Sequence, residues 1–379
     1  MLAVEAALSV FLLCGAALVA QNLLHLIRTP AGFDGRQVTV MQLRNPYRRE
    51  QALNPTPMMG YREYLERVQA VAGVESAALI TGLPLRGAMQ TGFRLIGAAD
   101  DPANATRQRA LLQSVSPDYF RTLRIPILAG RTFRDDDRVG RPAVVIVNRE
   151  FVRRFGAGVG QSIETGRPAT IVGVVGDVRM SPRATAPEPH IYVSYLQMYE
   201  PNVYLLVRSA MEPGVLTPHV KEAIRGAYAN QAVFNVMTME QVFANSVAEP
   251  RFQAWLIGAF AVLALAIVTG GMYSVVACLV TQRTGEIAIR MALGADRPAI
   301  VRTILGATAS WVGAGLVAGM GLGMAASGAV KKLSDSAVAV GPGLYVGLAV
   351  LFLIVALAAA YIPVRRASTV DPADALRCE

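Results

Sequence analysis

The stretch Leu344–Ile362, LYVGLAVLFLIVALAAAYI, carries no charge and has Val-Leu-Phe-Leu-Ile-Val at its middle. A helix needs roughly 20 apolar residues to cross a hydrocarbon core of about 30 Å. Uncharged runs of that length are rarely buried helices of soluble proteins. Three further stretches share the character: Ala6–Leu24, diluted at its end by Gln21 and Asn22, then Trp255–Val280 and the Gly- and Ala-rich Thr303–Val330. The first has a signal peptide as its rival reading. It opens on Glu5 instead of a basic region, and its apolar run exceeds the usual ~7–15 residues. Four membrane spans are predicted.

Around these runs, the 379-residue chain is 53% hydrophobic and 17% charged, with a mean hydropathy of +0.39; soluble domains average about 25% charged. A chain this apolar collapses, which excludes intrinsic disorder. Its 34 Gly follow no period and it has only 3 Cys, so collagen-like and disulfide-rich classes are excluded too. The formal charge of +9 rests almost wholly on Arg, because Lys occurs only at Lys221, Lys331 and Lys332. Such a charge suits nucleic acid or an anionic membrane. The apolar runs select membrane lipid as the partner, with no nucleic acid.

Between the first and second runs lies a polar block, Arg28–Arg251, with no stretch of spanning length. The order is therefore a first span within 1–28, a large extramembrane domain over 29–251, and a part with three clustered spans over 252–379. Basic residues in short loops set orientation. The loop after the second span holds Arg283, Arg290, Arg297 and Arg302 against Glu286 and Asp296, and the tail holds Arg365, Arg366 and Arg377. The loop between the third and fourth spans has Lys331 and Lys332 with Asp335. This balance puts the second-to-third loop, the tail and the N-terminus in the cytoplasm and the large domain outside. Arg28, on the outer side of the first span, pulls weakly the other way. Cys14 and Cys278 fall in spans and Cys378 near the end, so cysteine does not decide the domain's compartment.

In the polar block, strands are expected at Val38–Leu43, Val74–Ile80, Phe93–Ile96, Val144–Val147, Ala169–Val175, His190–Tyr195, Val203–Val207 and Val233–Val236. Helices are expected at Met58–Val71, after Ser116 as N-cap with Pro117 at N1, at Arg149–Phe155, at Val215–Tyr228 and from Met239. This is an α+β domain with an inserted subdomain. It offers no chemistry. His25, His190 and His219 are far apart, with no HExxH pattern, and there is no GxSxG elbow. Asp135-Asp136-Asp137 reads as a solvated turn after a strand rather than a metal site. Gly173-Val-Val-Gly176-Asp177 reads as a β-turn rather than a phosphate loop, and no Gly-Lys pair exists to make a P-loop. No catalytic residue, metal or bound cofactor is expected, and a membrane-anchored enzyme has no constellation behind it.

Two cytoplasmic elements say more. The run Gln282–Ala295, QRTGEIAIRMALGA, read as a helix pairs Arg283 with Glu286 and Glu286 with Arg290. Ile287 and Met291 share one face, Ile289 and Leu293 another, and Gly294 is a helix stop. Such a helix is either a handle for a soluble partner or a plain interfacial turn joining two spans. In the tail, Pro363 ends the last span, Arg365 and Arg366 anchor it at the headgroups, and Asp371 opens a final short helix. In the third span Gly315, Gly319, Gly323 and Ser327 recur every four residues, a strip that lets helix backbones approach closely. Its partner is either this chain's own second or fourth span or a second unit of the same kind.

The run Gln282–Ala295, the tail PVRRASTVDPADALR from Pro363 to Arg377, the stretch IVGVVGDVR from Ile171 to Arg179, and the opening from Val4 through Pro30-Ala-Gly-Phe-Asp34 together resemble the MacB/FtsX family of ABC transporter permeases. The resemblance covers essentially the whole chain. It implies a periplasmic core of porter-like and inserted subdomains, four spans in the bacterial inner membrane, and a separate cytoplasmic ATPase that binds the ATP. That ATPase would dock on loop 282–299, with Arg283, Glu286, Ile287, Arg290, Met291, Leu293, Gly294 and Ala295 as the coupling residues; 363–379 is the cytoplasmic tail. Gly285 departs from the family's usual charged residue, and a Gly inside a helix costs about 1 kcal/mol relative to Ala.

The chain looks most like the second half of the tandem-duplicated long permeases. Read so, it is a half-unit that needs a second permease unit, or a truncated reading frame. The leading function is a permease subunit that couples ATP hydrolysis to periplasmic change and exports a hydrophobic or peptidic substrate, with a periplasmic adaptor as a further partner. The alternative is an FtsX-like regulatory subunit that activates a periplasmic cell-wall hydrolase.

Overall fold

The computed structural model describes residues 2–44, 56–97, 108–181, 184, 186–198, 200–227, 232–282, 297–333 and 341–367. Contacts divide the chain into two units, Arg28–Ala248 and a second formed by Met1–Ile27 with Glu249–Glu379.

The first unit is built on a four-stranded antiparallel sheet. β1 (Val38–Arg44), β2 (Val74–Ile80), β10 (Asn202–Ser209) and β11 (Ala232–Thr238) lie in the order β11-β1-β10-β2. With α2 (Thr56–Gln69) between the first two strands and α5 (Pro213–Ala227) between the last two, and α6 (Met239–Ser246) following β11, this is a split βαβ, ferredoxin-like arrangement. Both faces of the sheet are buried, so its strands read as near-continuous apolar runs rather than alternating ones. Met41, Ala77, Leu79, Leu205 and Val207 face the two helices, meeting Tyr61, Tyr64, Val68, Leu216 and Val220. Val38, Val40, Ala78, Ile80 and Leu206 face the other way.

Between β2 and β10 the chain makes an insertion. It comprises β3 (Met89–Leu95), β4 (Gln108–Val115), α3 (Tyr119–Thr122), β5 (Ile127–Gly130), β6 (Val144–Asn148), α4 (Arg149–Phe155), β7 (Ser162–Glu164), β8 (Pro168–Val175) and β9 (His190–Ser194). Six of these strands pair in a ring, β4-β3-β7-β8-β6-β9, which closes through parallel pairing of β9 with β4. Each contributes to one core: Phe93, Leu112, Ile163, Ile171, Val147 and Ile191 meet there, with Phe151 of α4 packed on Phe93. A closed ring leaves few exposed edges. Its outer wall, through Val144, Ile146 and Tyr192, packs on the second face of the four-stranded sheet, with Phe120 and Leu123 of the α3 segment between.

Three local expectations change. Ser116 does not cap a helix: α3 begins at Tyr119 behind Asp118, and the Ser116 hydroxyl accepts the Leu79 N–H at 2.9 Å, because β2 needs an acceptor where its pairing with β4 ends. Gly173 is not in a turn but inside β8, where the Arg131 carbonyl crosses so closely that a Cβ has no room. The acidic triplet is only partly solvated. Asp137 is buried and receives both Arg131 nitrogens, at 2.7 and 3.0 Å, while Asp135 reaches Arg62 of α2 at 3.1 Å.

The other unit holds four long helices: α1 (Leu2–Arg28), α7 (Ala248–Gln282), α8 (Arg297–Leu333) and α9 (Pro342–Ala367). All are long and apolar enough to cross a membrane. Each outlasts its uncharged run by a turn or more, since a helix does not stop where the hydrocarbon does. Ala6, Val10 and Cys14 of α1 pack with Val268 and Met272 of α7, Val312 of α8 and Phe352 and Ala356 of α9. Large apolar side chains such as Trp255, Val262 and Val317 point outward, as lipid contact requires.

Candidate functional site

The chain that follows α1 enters the extramembrane unit through residues 31–36, and the fold grips this segment from three sides. Arg208 of β10, opposite Val38 in register, is 1% exposed. Its Nε donates to the Thr122 carbonyl at 2.8 Å, one Nη to the Arg36 carbonyl at 2.8 Å and the other to the Asp34 carbonyl at 2.6 Å. One planar guanidinium thus ties the four-stranded sheet, the entering segment and α3 together, a use of its fixed fork of donors. Arg124, after α3, binds the Asp34 carboxylate at 3.2 Å, and the Asp34 N–H donates to the Leu123 carbonyl at 2.8 Å. Hydrogen bonds from the Arg36 side chain and N–H hold the Asp34 carboxyl far below the usual range, at about 2.

The third side is the segment after β8. The Arg179 N–H donates to the Ala31 carbonyl at 3.0 Å. Gly32, at φ +82°, lies so close to the Asp177 carbonyl that no Cβ could be accommodated. The Asp177 carboxylate in turn accepts from Asn148 Nδ2 at 2.9 Å, the Glu150 N–H at 2.8 Å and Arg149 Nε at 3.1 Å, fixing the start of α4. The inserted ring and the sheet therefore both bear on residues 31–36. Pro30–Asp34 and Ile171–Arg179, two of the stretches that carry the family resemblance, meet in this clamp. Arg208 was not singled out; an arginine ending an otherwise apolar buried strand, VYLLVRS, is the signal that finds it.

In the bundle, the small-residue strip is occupied. A Cβ on Gly315 would lie 2.6 Å from both the Ala3 carbonyl oxygen and Ala6 Cβ, and one on Gly319 would lie 2.5 Å from the Ala7 carbonyl oxygen. A Cβ on Gly323 would lie 2.9 Å from Cys14 Cβ. The partner of these three is the chain's own first span, rather than its second or fourth or a second unit. Ser327 turns elsewhere: its hydroxyl donates to the Met324 carbonyl at 2.8 Å and meets the Tyr345 hydroxyl of α9 at 3.1 Å.

The coupling residues Arg283, Glu286, Ile287, Arg290, Met291, Leu293, Gly294 and Ala295 lie outside the described residues, as does Asp371. Arg365 and Arg366 fall in the last turn of α9, with side chains outside the description. Among the described residues no group of His, Cys, Asp and Glu is assembled to hold a metal. His190 is fully buried against Tyr192, ring centroids 4.1 Å apart, and neither of its ring nitrogens has a hydrogen-bond partner among the described residues. Burial pushes it down to about 3.

Residues 6–227 match the MacB-like periplasmic core domain and residues 258–372 the FtsX-like permease C-terminal region. The chain is 24% identical over 281 residues to the uncharacterized ABC transporter permease YknZ of Bacillus subtilis, covering 71% of this chain and 70% of that protein. It is 26% identical over 296 residues to the macrolide export ATP-binding/permease protein MacB 1/2 of Paracoccus denitrificans; there the match takes in 72% of this chain but only 42% of the relative. The crystal structure of the periplasmic region of MacB from Actinobacillus actinomycetemcomitans aligns with 58% of the chain at 12% identity and a TM-score of 0.37. The chain belongs to the MacB/FtsX family of ABC transporter permeases. It is a membrane protein of a family whose members work with a partner ATPase and as dimers.

Proposed function

We propose that this chain is the permease subunit of an ABC exporter, in which a separate cytoplasmic ATPase drives a change in the large domain. In this reading the domain lies in the periplasm, the four spans cross the inner membrane, and ATP is bound by the partner alone. The observation that carries it is the pairing, in one chain, of a MacB-like periplasmic core domain with an FtsX-like permease region. The clamp on residues 31–36 supports it, because a movement passed along the first span would reach the sheet through Arg208 and the inserted ring through Ala31 and Gly32, which meet Arg179 and Asp177. The cargo proposed is hydrophobic or peptidic, in keeping with the macrolide and syringafactin exporters named among the relatives. Those names speak of export, so regulation of a cell-wall hydrolase is not carried forward.

The ATPase is proposed to engage loop 282–299 through Glu286 and Arg290. Co-purification from native membranes should bring down an ATPase and a second permease unit, and a periplasmic adaptor if one belongs to the system. Arg290→Glu should abolish stimulation of that ATPase while membrane insertion stays normal. Full stimulation by both Glu286→Ala and Arg290→Glu would return the loop to a plain turn. Orientation has its own check: a cysteine at Asp136 should react with an impermeant thiol reagent in intact cells and Cys378 should not.

A further inference from the structure

A cleft of about 450 Å³ opens in the extramembrane unit where the chain leaves β2 for the inserted ring and returns to β10. Its floor is a break in a strand ladder. β4 pairs with β3 up to Leu112, opposite Met89, and with β2 at Val115, opposite Ile80. Two residues would carry the chain from Ile80 to the position opposite Leu112, yet eight, Thr81–Ala88, intervene. The Thr81 N–H still donates to the Ser114 carbonyl at 3.1 Å; the residues after it bow outward and form one wall. Met198, Glu200 and Asn202 supply the other. The Met198 carbonyl accepts from Ser114 Oγ at 3.2 Å, and the Glu200 carbonyl accepts from the Tyr61 hydroxyl at 2.8 Å. This wall is thus tied to the ring and to α2, and the cleft is formed before anything enters it, at the kind of junction ligand sites favour.

The lining combines opposite charges with soft apolar surface. Arg86 comes from the first wall and Glu200 from the second, and neither side chain has an ion pair or hydrogen bond among the described residues. Met89, Met198 and Leu112 share the lining, and thioether side chains adapt to apolar groups of varied shape. Gln113 adds a third feature. It is 1% exposed, its Nε2 donates to the Gly82 carbonyl at 2.6 Å, and its Oε1 has no donor among the described residues. The amide cannot be turned over, because the Gly82 carbonyl can only accept. Its place depends on Gly82, where a Cβ would stand 2.9 Å from Gln113 Nε2. A buried acceptor without a donor calls for one. A site for simple anions has no use for Glu200, and a site for simple cations none for Arg86. Both charges, an amide acceptor and an apolar flank together describe a peptide with free ends.

We propose that this cleft binds a short apolar peptide, its terminal carboxylate on Arg86, its terminal ammonium on Glu200 and its side chains against Met89 and Met198. This narrows the cargo to peptides and so rests on the export reading. The test is saturable binding of radiolabelled trileucine to the full chain in lipid nanodiscs. Glu200→Gln and Arg86→Gln should each weaken binding at least about tenfold, with unchanged elution and melting. Acetylating the peptide's N-terminus should cost the parent a similar factor and cost Glu200→Gln nothing; amidating its C-terminus should do the same with Arg86→Gln. A merely structural role for either residue does not produce that cross-pattern. Arg94→Gln, at an exposed arginine of β3 outside the cleft, should bind as the parent does. Absence of saturable binding, or equal binding of free and blocked peptides by the parent, overturns the site. If the peptide binds through both residues but ATP drives no extrusion from vesicles holding the permease with its ATPase, the export reading falls while the site stands. ATP-driven peptide extrusion that both variants leave unchanged does the reverse.

Discussion

The extramembrane unit and the helical bundle each hold the neighbourhood of α1 in place, and they do it with opposite chemistry. Residues 31–36 are held by added groups, with Arg208 sending three donors to three carbonyl oxygens. In the bundle, α1 is held by subtraction, for at Gly315, Gly319 and Gly323 side chains are missing and the α1 backbone lies directly on α8. In water, apolar surface drives segments together and the remaining task is to satisfy buried backbone. In lipid that drive is absent, and close contact between backbones replaces it. The same length of chain therefore depends on a large polar residue on one side of Arg28 and on the smallest residue on the other.

The largest expected effect comes from removing the polar device. Arg208→Met keeps length and apolar contact but leaves one buried and two partly buried carbonyls without this donor, which should destabilise the extramembrane unit by about 4 kcal/mol. Urea unfolding of the full chain, with hydrogen exchange read at residues 31–36 and 119–125, measures it. A loss under about 1 kcal/mol would mean that apolar packing alone holds the segment.

Next comes the converse substitution in the bundle. Gly319→Leu puts a bulky group where only 2.5 Å separates a Cβ from the Ala7 carbonyl, and overpacking of this kind costs about 3 kcal/mol. The monomer itself should become protease-sensitive, because the strip meets the chain's own first span. Unchanged resistance would show that α1 and α8 do not depend on this contact.

The smallest effect separates polar groups that are satisfied from one that is not. Burial holds His190 at about 3 in the folded chain against 6.5 when free, so below pH 6.5 the unfolded state binds the extra proton. Stability should fall as pH drops from 6.5 toward 3, with no contribution above that window. His190→Phe should flatten this acid limb, retaining about 2 kcal/mol more stability than the parent at pH 5. An equal acid loss in both chains would move the effect to the carboxylates.

Legibility in the sequence followed the same division. The four spans were readable because absence of charge over ~20 residues is a signal that no partner can override. Strands buried on both faces, such as Val74–Ile80, were readable for a similar reason. β4 was not: QRALLQSV opens on polar residues, carries only one β-branched residue, and becomes a strand through its neighbours β3 and β9. β5 and β7, four and three residues long, offer no period at all. The glycine strip was visible but its partner was not, since spacing gives a face and not what covers it. The clamp was invisible because backbone carbonyls have no letter in the sequence; only Arg208 and Gly32 hint at where they converge.

The insertion of the ring between β2 and β10 has a consequence for how such a domain can change over time. These strands are direct antiparallel neighbours, with Ile80 opposite Tyr204, so the inserted segment leaves and returns about 5 Å apart. A short hairpin could close that gap without moving any host strand. The insertion site is thus a socket, open to lobes of different size with no change in the connectivity of the host. What fixes the lobe's identity is the second face of the sheet: Val38, Val40, Ala78, Ile80 and Leu206 would be laid bare by excision. Any replacement would have to bring its own apolar cover, so lineages are free to exchange the lobe and not free to lose it.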